Sequence, residues 1–95
     1  MAVYKVAQMN LEGRDLNIVP LEPTFDQKSM KEKQEFTIRL QHCAKEAGWK
    51  GRIVPVWDNN QGGMSFFGPP YLHAILEQIT LSNISKKLQS ELVCD

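Results

Sequence analysis

The sequence is poor in the features that mark a specialised protein. It carries no net charge, with eleven Lys or Arg against eleven Asp or Glu. It therefore lacks the overall basic excess that holds a protein on nucleic acid. It has only two histidines and two cysteines, at spacings that form no metal-ligand set. No apolar run approaches the ~18 residues of a membrane helix, and the opening MAVYKVAQMN holds no long apolar stretch of the export type. A phosphate loop is missing too: Gly62-Gly63 is followed by Met-Ser-Phe rather than Lys-Ser/Thr, and leads into a strand pattern rather than a helix. These absences point to a cytoplasmic protein with Cys43 and Cys94 as free thiols. They give no reason to expect a cofactor, a metal, a membrane or a nucleic-acid partner.

What is present describes a single α+β domain over residues 1–95 with a modest core. Its hydrophobic fraction of 42% and charged fraction of 23% are those of an ordinary globular chain. Residues 2–11 read as a strand with Val3, Ala7, Met9 and Leu11 on one face and Tyr4 and Val6 on the other. Glu12 to Asp15 reads as a turn, and Leu16 to Leu21 as a second strand that Pro20 confines to an edge or ends. A helix follows, with two competing capping boxes, Thr24 with Gln27 and Ser29 with Glu32. Phe36, Leu40, Cys43, Ala44 and Ala47 form its apolar stripe, and Gly48 suits the left-handed position after its last turn.

Arg52 to Asp58 is a third strand, again with an internal proline, Pro55. Met64 to Gly68 is a fourth, joined to it through Asn59–Gly63. Pro69-Pro70 stops that strand and opens a helix whose apolar face is Leu72, Ile75, Leu76 and Ile79. The apolar phase then shifts to Leu81, Ile84, Leu88 and Leu92, which predicts a break near residues 80–82 and a last helix capped by Ser82. The expected fold is thus β-β-α-β-β-α-α, a small antiparallel sheet of about four strands with helices packed on one face.

The chemistry concentrates in WDNNQGGMSFFGPPYLH, residues 57–73. Asn59 to Gly63 is hairpin-turn chemistry, because Asn and Gly accept positive φ at low cost. Asp58 and His73 have the residue types of an acid–base dyad. A strand carrying the chain about 17 Å away would separate them, placing His73 near Arg52 and the Gly48–Lys50 corner. His42 and Cys43 are neighbours on a helix and point about 100° apart, so they make no nucleophile pair. Between Lys28 and Arg52, seven Lys or Arg face three Glu. The i,i+4 spacings of Lys28–Glu32, Lys31–Glu35, Glu35–Arg39 and Glu46–Lys50 suit a solvated helix face better than a nucleic-acid surface.

The aromatics raise a sharper question. Alternation sends Phe66 and Phe67 to opposite faces of the sheet, so helices on one face cannot cover both. The candidate contact surface is Trp57, Asp58, Phe66, Phe67, Tyr71 and His73, with no catalytic residue assigned. The favoured expectation is a binding protein acting through protein contacts, with a homodimer covering the open face. The alternative is a small-molecule or enzymatic pocket around Trp57, Asp58, Tyr71 and His73, completed across a subunit interface where Asp58 of one copy meets His73 of the other.

Overall fold

Glu12 and Gly13 take positive φ, 51° and 78°, and reverse the chain between β1 (Ala2–Leu11) and β2 (Arg14–Leu21). The computed structural model describes residues 2–94. After β2 comes a short 3-10 helix, Pro23–Gln27, and then α1 (Met30–Glu46). Of the two capping boxes, Ser29 holds: its hydroxyl accepts from the Glu32 amide and its own amide donates to Glu32 Oε1, both at 3.1 Å. The Ser29 amide donating to the carboxylate, then the Ser29 side chain, and then the Lys28 charge hold the Glu32 carboxyl below its ordinary pKa. At the other end Gly48 has φ 79°. The Trp49 amide reaches Ala44 O at 2.9 Å and the Gly48 amide Lys45 O at 3.0 Å, the paired bonds of a Schellman stop.

The remaining elements are β3 (Arg52–Asp58), β4 (Met64–Phe66), α2 (Leu72–Leu76), α3 (Leu81–Ser85) and β5 (Ser90–Cys94). The expected antiparallel sheet of about four strands is instead a mixed sheet of five, ordered β4-β3-β2-β1-β5. β2 and β3 run parallel, because α1 returns the chain to the starting end of β2 before β3 begins. Gly51 makes that juncture: with φ 97°, a Cβ there would stand 2.4 Å from the Asp15 carbonyl oxygen.

Residues 90–94 also depart from expectation, forming an edge strand where the apolar phase had suggested helix. Thr80, not Ser82, caps α3, in a box with Asn83. β1 serves two ladders, pairing through Ala7–Leu11 with β2 and through Ala2–Val6 with β5.

Helices cover both faces, not one. Leu40 and Ala44 of α1 pack with Val6, Val19, Ile53 and Leu92. Leu72, Ile75, Leu76 and Ile84 of α2 and α3 pack with Ala7, Leu16, Ile18, Val54 and Val56 on the opposite side. Neither proline ends an interior strand, because each sits where one neighbour is missing. The β1–β2 ladder stops at Ala7–Ile18, before Pro20, and the β3–β4 ladder starts at Val56–Phe66, after Pro55. The Phe67 amide donates to Pro55 O at 3.1 Å, so the edge of Pro55 that lacks an N–H faces beyond the end of β4.

A polar chain crosses the α1 end of the sheet. Asn17, the one buried polar side chain among the described residues at 1% exposure, donates to Lys50 O at 2.9 Å and accepts from Gln8 Nε2 at 3.2 Å. Gln8 in turn accepts from the Ser90 hydroxyl at 2.8 Å. Lys5 pairs with Glu91, and the imidazoles of His42 and His73 meet the carboxylates of Glu46 and Glu77. The helix-face Lys/Arg–Glu pairs expected from spacing are not among them, Glu32 and Glu46 having taken Ser29 and His42 as partners.

Cys43 and Cys94, expected as free thiols, are joined as a disulfide with Cα atoms 5.6 Å apart. β5 lies under α1, and that brings its Cys94 to the helix. No helix among the described residues is long and apolar enough to cross a membrane.

Three outcomes are expected. Reducing the disulfide, or replacing Cys94→Ala with Cys43→Ala, removes a constraint closing a loop of 51 residues. Denaturant titration of oxidised and reduced protein should show a loss of about 4 kcal/mol. Ser29→Ala should cost about 1 kcal/mol. Because the folded Glu32 pKa is lowered, its charge stabilises fully above the unfolded value of about 4.3, and the gain disappears as pH falls through the folded value. Glu32→Gln should therefore melt below wild type at pH 7, and the gap should close in acid.

Candidate functional site

The register of β3 with β4 decides which side chains share a face. Asp58 pairs with Met64 and Val56 with Phe66, and Val56 belongs to the core under α2 and α3. Asp58, Met64 and Phe66 therefore face those helices, and Trp57 with its partner Ser65 faces the other way. The turn between the strands is closed by its own side chains. Asn59 Oδ1 accepts from the Gln61 and Gly63 amides at 2.8 and 3.1 Å, and Asp58 Oδ1 from the Asn60 amide at 2.7 Å. Asn60 and Gly62 supply the positive φ values, 62° and 82°. Those three amides point into the turn and make no cradle for an anion.

Beyond β4 the chain runs on to Tyr71, whose ring lies 4.4 Å beneath the Arg14 guanidinium at the β1–β2 turn. α2 then doubles back. The amides of Leu72 and His73 bond to the carbonyls of Pro69 and Pro70, and Leu72, Ile75 and Leu76 sink into the core. His73 and Glu77, one turn apart, are left on the outer side. His73 Nε2 meets Glu77 Oε1 at 2.7 Å, and its ring lies 6.3 Å from that of Phe66.

Between the hairpin and the two short helices lies a cleft of about 460 Å³, within the size range of small-molecule sites. Met64, Phe66, Leu76, Ile79 and Leu81 give it apolar walls, and Asp58, His73, Glu77, Thr80 and Ser82 give it polar ones. Thr80 is held by Asn83, whose amide donates to Thr80 Oγ1 at 3.2 Å. The cleft corrects the expected separation of Asp58 from His73. α2 folds back towards β4 and sets both groups on one cavity. His73 lies over Phe66 rather than at the Gly48–Lys50 corner, and its partner is Glu77.

The other candidate residues are distributed differently. Trp57 is 3% exposed on the α1 face, edge-on to Phe25 at 5.0 Å, with Nε1 donating to Asp26 Oδ1 at 3.0 Å. Phe25, Phe36 and Tyr4 continue the aromatic row at 5.2 and 5.7 Å. Phe67 is half-buried just past β4 and Tyr71 is 46% exposed under Arg14; neither lines the cleft. Glu77 and Thr80 line the cleft without having been candidates, and Leu76, Ile79 and Leu81 were expected as helix apolar positions rather than as cleft wall. Glu77 was findable by its i,i+4 spacing from His73, and Thr80 by the Thr-x-x-Asn box. Among the described residues no three His, Cys, Asp or Glu side chains converge as a ligand set. No protein-family model, curated protein or solved structure matches this chain.

Proposed function

We propose that the protein binds a small molecule in the cleft between the β3–β4 hairpin and α2–α3. The supporting observation is the convergence of Asp58, His73 and Glu77 on a cavity walled by Phe66, Met64 and Leu76, a few polar groups on an apolar surface. His73 and Glu77 are largely exposed, at 70% and 65%, and Thr80 is engaged as a cap, so the arrangement favours recognition over catalysis.

In a metabolite screen by thermal shift, a ligand for the native state raises the melting temperature. Hits should shift the amide resonances of residues 58–66 and 72–82. Ser82→Trp, which fills the cleft from an exposed position, should abolish binding while keeping the unliganded melting temperature. Hits that bind the filled variant equally well would place the site elsewhere.

Self-association is the second reading, with different support from that first expected. α1 covers one face, and α2 with α3 cover the other only as far as the Ala7–Leu11 half of β1. What stands open is the β1–β5 margin, where the register partners Val3 and Val93 are 54% and 52% exposed beside an edge strand. Val93→Lys should then lower the average mass measured by light scattering at high micromolar concentration; a strict monomer before substitution would end this reading. Cytoplasmic residence loses the free thiols that argued for it, and the disulfide favours an oxidising setting.

A further inference from the structure

Resting on that cleft-binding reading, we infer that the ligand is an organic cation: an ammonium group carried on a short apolar body. The titratable side chains lining the cleft are Asp58 from β3 and His73 and Glu77 from α2, and no Lys or Arg lines it. An anion would find no Lys or Arg to pair with, and the amides of Asn60, Gln61 and Gly63 are already bound within the turn. It would also lie beside two carboxylates.

A cation finds the opposite. His73 engages Glu77 through Oε1 and the Asn60 amide engages Asp58 through Oδ1, so each carboxylate has a second oxygen to accept an N–H. Phe66 lines the same cavity with Met64 and Leu76. Its ring offers a face to an ammonium group and an apolar surface to the body that carries it. At 460 Å³ the cleft has room for a ring and a short side chain.

The test compares three probes of one shape and different charge: phenethylammonium, phenylethanol and phenylacetate. Each is titrated into isotope-labelled protein at pH 7 with amide shifts recorded. Phenethylammonium should shift residues 58–66 and 72–82 saturably and bind about fivefold or more tighter than phenylethanol, the effect of one solvent-screened charge pair. Phenylacetate should be weakest. Asp58→Asn keeps the turn acceptor and Glu77→Gln changes an exposed position; each should erase most of the preference for the cation. If phenylethanol or phenylacetate binds in the cleft as tightly as the cation, the charge inference fails and the cleft reading stands. If no probe moves these resonances while the protein is folded, both fail.

Discussion

Parallel pairing of β2 with β3 is the constraint from which the rest of the molecule follows. Two parallel neighbours cannot be joined by a tight turn, because the chain must first travel back along the sheet. α1 makes that journey: 17 residues rising ~1.5 Å each match the eight of β2 at ~3.3 Å each. Crossing in this way seals one face. The reversal into β4 delivers the remaining chain to the other face, where α2 and α3 close it. β3 therefore lies between two apolar layers, and Ile53, Val54, Val56 and Trp57 are all buried.

Local chemistry was legible in the sequence, and long-range direction was not. The Phe36–Ala47 stripe and Gly48 marked the body and end of α1, while Thr24 and Ser29 competed for its start, and the Asn59–Gly63 turn was plain from its residue types. A β-β-α-β-β order, however, fits both an antiparallel and a mixed sheet. The unbroken apolar run of β3 was the available clue, since strands buried on both faces lose their alternation. The prolines misled because their meaning depends on which neighbour is absent at that point. β5 was hidden for a different reason: its partner is the opposite end of the chain, and Ser90–Cys94 is too short to declare itself without that partner. Of the candidate residues, Asp58, Phe66 and His73 were found lining one cleft, although Asp58 and His73 were expected to lie apart. Trp57 does not line it, because one step along β3 carries it through to the α1 side.

The cleft is assembled from the smallest pieces in the structure, a three-residue strand and two five-residue helices. Helices of that length have no stability of their own in water. Their position depends on Leu72, Ile75, Leu76 and Ile84 reaching the sheet, with Thr80 and Asn83 fixing the step between them. The α1 side, by contrast, has a long capped helix and a covalent tie. Stability is thus unevenly divided, with the rigid half opposite the cavity and the least anchored elements around it, where binding sites are commonly drawn.

Asn17 acquires a further meaning in a sheet covered on both sides. Sliding β2 by one residue would exchange its two apolar faces, and Ile18 and Val19 would still meet greasy surroundings. Hydrophobicity alone therefore discriminates poorly between the native alignment and its neighbours. The amide discriminates well, because Gln8 and the Lys50 carbonyl satisfy its two ends only when Gln8 stands opposite Asn17. Any slip leaves a buried polar group stranded at about 1–3 kcal/mol. One side chain thus acts as an alignment mark, guarding the strands against mispairing during folding.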